Sequence, residues 1–299
     1  QIGQMLIEKM GRIPAVTHIS SEFRNNDIVI NPKSIYLAVS QSGETADTIS
    51  AIKEIKLKGG QVFGVVNVVG STIARLCGKG VYIHSGPEQS VASTKAFTNM
   101  VAALTIFATQ LGRTRHLSKD EGRELMHALQ QTPHLMETYL EDIGPIDEAV
   151  NLLCEADSVL FLGRGLSATV AKEGALKLME LAYIPCLAYP AGEMKHGPIA
   201  LLEEGSPVVV IAPNDHLKEK TMSALHEVKA RGAKVILIHE QGDAIASEGD
   251  VSIAVPAVHP SLTPLLTVLP LQLMAYYTAL RLGRDVDRPR NLAKSVTVE

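Results

Sequence analysis

Short unbroken apolar runs alternate with amphipathic stretches along most of the chain. SIYLAV (34–39) and PVVVIA (207–212) are continuous apolar runs, the pattern of strands buried on both faces of a parallel sheet. Each leads through a turn into an amphipathic segment, 45–58 and 218–231, that stops at a glycine, Gly59 or Gly232, suited to a left-handed cap. A second strand follows each one, at 61–66 and 234–239. Strand, helix, parallel strand with a right-handed crossover predicts a doubly wound α/β fold.

The two stretches are copies of one unit. SAIKEIKLKGGQV starts at Ser50 and SALHEVKARGAKV at Ser223, an offset of 223 − 50 = 173. Ile13-Pro14 matches Ile184-Pro185, and Glu22 matches Glu193, both at an offset of 171. The second copy opens with a strand at 158–162, the turn Gly163-Arg164-Gly165 and a helix at 168–181. At that offset, the same opening strand and loop of the first copy would precede Gln1. The first domain is therefore expected to lack its N-terminal strand and loop. A strand at 81–84 and a buried helix at 93–111 complete the first copy, and polar helices at 118–131 and 145–156 are expected to connect it to the second. The expected domains are 1–130, 131–283 and a C-terminal tail at 284–299.

Composition narrows the partners. The 299 residues carry a net charge of −4, 4% aromatics and no Trp, which offers nucleic acid neither a basic field nor a stacking surface and does not favour anionic membranes. The most apolar stretch, 264–280, contains Pro270 and Gln272 and is shorter than the ~20 residues a spanning helix needs, so it is read as a buried helix. Three cysteines, Cys77, Cys154 and Cys186, suit neither a disulfide framework nor a zinc site, and point to a reducing compartment such as the cytoplasm.

Candidate chemistry gathers at strand ends. Ser40-Gln41-Ser42-Gly43-Glu44-Thr45 links a strand's carboxyl end to a helix start, where open α/β sheets bind ligands and helix N–H groups suit a phosphate. No Walker lysine follows, so a single phosphate on a small molecule fits better than a nucleoside triphosphate. Helix capping is the bland alternative. The second copy has the hydroxyl-poor Ala212-Pro213-Asn214-Asp215 at this place, which suggests one phosphate site per chain. Ser90-Val91-Ala92-Ser93-Thr94-Lys95 adds donors at the same sheet edge, with Ser93 a candidate cap. On the helix at 168–181, Glu173, Lys177 and Glu180 form one narrow charged stripe among apolar flanks, read as facing a cleft, where a carboxylate can serve as a proton-transfer base; an ordinary helix ion pair is the alternative. His196 lies in the loop GEMKHGP (192–198), between Gly and Pro where a histidine is often functional; an ordinary surface-loop histidine is the alternative. The tail, DVDRPRNLAKSVTVE, alternates Leu292, Val296 and Val298 and is expected to dock, which would bury Lys294 and let it form a Schiff base.

SQSGETADT, VASTKAF, EGALKLME, GEMKHGP and DRPRNLAKSVTVE, in that order, resemble the isomerase half of the glucosamine-6-phosphate synthase family, the glutamine–fructose-6-phosphate aminotransferases, over the whole chain. The resemblance implies two tandem sugar isomerase (SIS) domains, each a flavodoxin-like α/β/α sandwich, in a homodimer. It implies that Ser40, Gln41, Ser42 and Thr45 hold the phosphate of fructose 6-phosphate, and that Val91, Ser93 and Ala293 line the sugar. Lys294 is then the Schiff-base lysine at C2, Glu180 the base that moves a proton between C1 and C2, with Lys177 nearby, and His196 from the partner subunit the group that assists ring opening. No metal or organic cofactor is needed for this chemistry. The family's glutaminase domain is not in this chain. Two rivals stand beside this reading. One is a non-catalytic sugar-phosphate sensor. The other is dinucleotide binding at Gly163-Arg164-Gly165-Leu166-Ser167-Ala168, for which the acidic residue expected about 20 positions on is not cleanly placed.

Overall fold

The computed structural model describes residues 1–295, so the expected packing of Val296 and Val298 lies outside the described residues. The chain divides into two compact units. The first holds residues 3–116 and the C-terminal segment from Arg290; the second holds residues 117–289.

The second unit is a five-stranded, all-parallel sheet in the order β5-β4-β6-β7-β8. Its strands are β4 (Val159–Gly163), β5 (Cys186–Pro190), β6 (Pro207–Ala212), β7 (Lys234–Glu240) and β8 (Val251–Val255). This is the flavodoxin-like winding, whose order reverses between β4 and β6. β6 is buried at every position, as a run without polar residues requires. Leu160, Leu162, Val208, Val210, Val235 and Leu237 share one face and pack on Met222, Leu225 and Val228 of α9 (Lys218–Lys229). α8 (Leu166–Ala182) packs on β4 and β5, and α10 (Thr263–Arg281) packs along α8. The apolar run at 264–280 is thus the buried helix expected, and among the described residues no helix is long and apolar enough to cross a membrane.

Two connector expectations need correction. α6 (Lys119–Glu141) does not stop before Pro133 but runs through it: the proline removes one backbone donor, while Thr132 and Tyr139 beyond Gln131 gain burial. α7 (Ile146–Cys154) buries Ile146, Ala149, Val150 and Leu153 and packs on α10, so it belongs to the second core. The division consequently falls at 116/117, earlier than the 130/131 boundary expected, and the tail from Arg290 goes with the first unit.

The first unit holds a three-stranded parallel sheet, β1 (Ile35–Ser40), β2 (Gln61–Val66) and β3 (Gly80–Tyr82). Phe23 of α2 (Ser20–Asn25), Ile52 and Ile55 of α3 (Ala46–Leu57), and Ile73 and Cys77 of α4 (Thr72–Cys77) pack against Ala38, Val62 and Val66. α5 (Lys95–Arg113) packs on α1 (Ile2–Gly11), close enough that a Cβ on Gly112 would lie 2.9 Å from the Met10 carbonyl oxygen.

The repeat survives in three dimensions. β6 and α9 each open 172 positions after β1 and α3 (207 − 35 and 218 − 46) and have the same lengths as their counterparts. α1 ends at Arg12 (φ 49°) as α8 ends at Tyr183 (φ 65°), 171 residues on (183 − 12), both left-handed. Among the described residues the first unit has no counterpart of β4. Residues 15–19, which match β5, form no strand, since in the second unit β5 pairs with β4. β1 pairs with β2 along one edge, and Ile35 and Val39 stay exposed.

Candidate functional site

The 40–45 loop leaves β1 at its carboxyl end and delivers the chain to α3. Ser40 is buried, and its Oγ accepts the Gly43 N–H at 3.0 Å; the Ser42 Oγ accepts the Glu44 N–H at 3.2 Å. These bonds curl the loop so that its hydroxyls converge. Thr45 stands at the N-cap of α3, yet its side chain makes no capping bond; its Oγ1 lies 3.5 Å from the Ser40 Oγ. Capping therefore does not consume the Thr45 hydroxyl, and the first N–H groups of α3 have no partner within the helix. Gln41 borders a cavity of about 410 Å³ shared with Asn67, Val68, Val69, His84, Gly86 and Pro87, beside the carboxyl ends of β1 and β2.

Lys294 folds back to this region within the first unit. Its Nζ donates to the Ser90 carbonyl at 2.8 Å, the Val91 carbonyl at 3.3 Å and the Ser93 Oγ at 3.0 Å. One residue later the Ser295 hydroxyl donates to the Ser42 Oγ at 3.2 Å. The tail thus brings the amine and the hydroxyl-lined loop together within the first unit. Val91 and Ser93 are partly buried at this junction, whereas Ala293 is exposed.

Ser93 is not the helix cap. α5 opens at Lys95 with Thr94 at its N-cap, and the Glu88 carboxylate satisfies its first donors, accepting Thr94 N–H at 3.0 Å and Ala96 N–H at 2.7 Å. A cap supplied from seven residues upstream of the helix leaves the Ser93 hydroxyl for Lys294. Glu88 has no sequence-level signature: it sits before the serine run, outside the N-cap position where capping residues are sought.

In the second unit, α8 presents the predicted stripe. Lys177 is 4% exposed; its Nζ lies 2.7 Å from the Glu180 Oε2 and 3.5 Å from the Glu173 Oε1. Lys177 is thus buried while it makes ordinary helix pairings. Burial pushes the Glu173 carboxyl above its ordinary range; Lys177 pulls it down and Glu180 pushes it further up. The apolar flanks are less buried than expected, since Leu176 and Met179 are exposed. His196 ends a short 3-10 turn, Glu193–His196, anchored by the buried Met194; the imidazole itself is exposed. Its neighbour Lys195 pairs with Glu227 at 2.7 Å. Gly163-Arg164-Gly165 forms the turn from β4 into α8, and Glu193 is exposed on that 3-10 turn. Among the described residues no three His, Cys, Asp or Glu side chains cluster as a metal site.

A family model described as "SIS domain" matches residues 1–110 and 152–282. The chain is 49% identical to glutamine--fructose-6-phosphate aminotransferase [isomerizing] of Thermus thermophilus over 99% of its length, and 46% identical to the protein of that name from Bacteroides thetaiotaomicron over its whole length. It covers 50% and 49% of those two proteins, so it spans about half the length of the curated relatives it matches. Among solved structures it superposes on the C-terminal domain of glucosamine-fructose-6-phosphate aminotransferase from Francisella tularensis with a TM-score of 0.91, at 35% identity, covering 96% of this chain and 82% of that one.

Proposed function

Since the chain belongs to the SIS-domain family, and within it to the isomerase portion of the glutamine–fructose-6-phosphate aminotransferases, we propose that it binds fructose 6-phosphate and moves a proton between C1 and C2 of the open-chain sugar. Joined to a glutaminase domain in the full-length, cytoplasmic homodimer, the same chemistry delivers glucosamine 6-phosphate for amino-sugar synthesis.

The observation that carries the reading is the tail contact: Ser295 touches Ser42 of the 40–45 loop while the preceding residue, Lys294, inserts its amine among Ser90, Val91 and Ser93. Ser40, Gln41, Ser42 and Thr45 hold the phosphate, and Val91, Ser93 and Ala293 border the sugar. His196 of the partner subunit assists ring opening. Lys294, after losing a proton, attacks C2; the carbonyl oxygen leaves as water and a C=N bond forms. Ammonia then displaces the lysine nitrogen. The C2 imine acidifies the C1 hydrogen; Glu180 takes that proton and returns it to C2 while the C1 hydroxyl proton passes to the nitrogen, which leaves an aldehyde at C1 and an amine at C2. When the C2 carbonyl itself is the electron sink, the product is the aldose. Lys177 orients Glu180 through their 2.7 Å ion pair.

Lys294→Arg tests the reading, because a guanidinium keeps the charge but cannot form the imine. Amination of fructose 6-phosphate with ammonium is expected to fall below detection while fructose 6-phosphate still binds. Retained amination removes Lys294 from the mechanism. Glu180→Gln is expected to stop exchange of the C1 hydrogen with solvent, and continued exchange removes Glu180. Binding of the sugar phosphate with no exchange in the unmodified full-length protein replaces the enzyme reading with that of a sensor.

A further inference from the structure

An acidic residue in the middle of an anion-binding loop is an electrostatic contradiction. Glu44 sits between Gly43 and Thr45, two residues from Ser42, and a carboxylate there repels any phosphate the loop receives. The structure shows where the charge goes. The Glu44 Oε1 accepts the Thr72 N–H at 2.8 Å, at the first residue of α4. Next to it the Gly43 carbonyl accepts the Ile73 N–H at 2.9 Å. Two consecutive donors of the α4 first turn thus grip two consecutive residues of the loop. Arg75 lies near enough to favour the ionised carboxylate as well. The carboxyl is held below its ordinary range chiefly by the Thr72 bonds.

The packing at this joint is close. Gly43 has φ +69°, and a Cβ there would lie 2.1 Å from the Ser71 Oγ and 2.9 Å from the Val66 Cγ1. Ser71 is 3% exposed, and its Oγ has no hydrogen-bond partner. The bend of the loop therefore rests on Ser71, the residue before α4, and the Glu44 bond holds it there.

We infer that Glu44 is a positioning residue for phosphate: by clamping the first turn of α4 it fixes the bend that turns the Ser40, Ser42 and Thr45 hydroxyls toward the anion. This rests on the 40–45 loop being the phosphate site. The sign of its effect separates it from a bystander. If Glu44 acts by charge alone, removing it tightens anion binding. If it acts as a strut, removing it weakens binding in spite of the lost repulsion.

The test measures fructose 6-phosphate and inorganic phosphate binding by calorimetry on the full chain, with the melting temperature of each variant recorded alongside. Glu44→Ala is expected to raise both dissociation constants about tenfold, the size of one lost charge-assisted hydrogen bond. Glu44→Gln keeps an acceptor oxygen for Thr72 and is expected to restore binding to within about threefold of the unmodified chain. Unchanged or tighter binding in Glu44→Ala overturns the inference and leaves the proposed function standing. So does Glu44→Gln binding as weakly as Glu44→Ala at an unchanged melting temperature, since an acceptor kept for the Thr72 N–H then does not restore the site. If the unmodified chain binds neither ligand, the reading of the loop itself falls, and the role of Glu44 falls with it.

Discussion

At the residue scale, three side chains on α8 illustrate how burial sets charge. Lys177 is nearly inaccessible and pairs with two carboxylates, so one of them is in excess. Glu173 carries the strain: its carboxyl lies above the ordinary 4.5, first because it is desolvated. A carboxyl with a raised folded value contributes stability below the ordinary value and loses it as pH rises through the raised one. Ionised Glu173 therefore works against the fold at neutral pH. Glu173→Gln is expected to raise the melting temperature at pH 7 to 8, with the gain fading as pH falls through the raised value and gone below 4.5. Lys177 keeps Glu180 as its partner, so the substitution does not strand a buried cation. A lower melting temperature at pH 8 contradicts this. Gly43 makes the opposite case, a position where one atom too many decides. Gly43→Ala combines a left-handed backbone with a clash on Ser71, and is expected to cost about 1–3 kcal/mol and to abolish phosphate binding. Denaturant unfolding and calorimetry check the two parts separately.

At the element scale, α5 and its cap matter most. Glu88 reaches forward to the Thr94 and Ala96 amides, which fixes the start of the helix and the 90–93 strip on which the Lys294 amine rests. Glu88→Ala is expected to cost about 0.5–2 kcal/mol, the range for a lost cap. Hydrogen exchange at the Thr94 and Ala96 amides is expected to speed up; unchanged protection there refutes the capping role. The apolar period located α5, because nineteen residues with an apolar stripe admit few alternatives. It could not say which carboxylate caps it, since capping from a distance depends on how the preceding loop folds back. For the same reason the serine at 93 reads as a cap in the sequence and serves the lysine in the structure. β8 has no counterpart in the sequence reading: at five residues, its pattern is too short to stand out until a neighbouring strand supplies a ladder.

At the scale of the whole molecule, the two units have separate cores and unequal sheets. In the first, three strands leave Ile35 and Val39 exposed on β1; in the second, five strands bury every residue of β6. Calorimetry is expected to resolve two transitions, the first unit melting earlier. A hexose 6-phosphate held by the 40–45 loop is expected to raise the lower transition by mass action, with the upper one unmoved. A single transition, or a shift confined to the upper one, contradicts this.

The repeat register, the parallel winding, the buried helices and the residue types of both candidate clusters were set by the linear chain, because local periodicity and a preserved offset need no knowledge of what packs where. The meeting of Lys294 with Ser90 and Ser93, more than 200 positions away (294 − 90), was decided by tertiary structure alone. So was the bracing of Glu44 on α4. Each is a contact whose distance and burial exist once separate elements have packed, and no spacing along the chain encodes it.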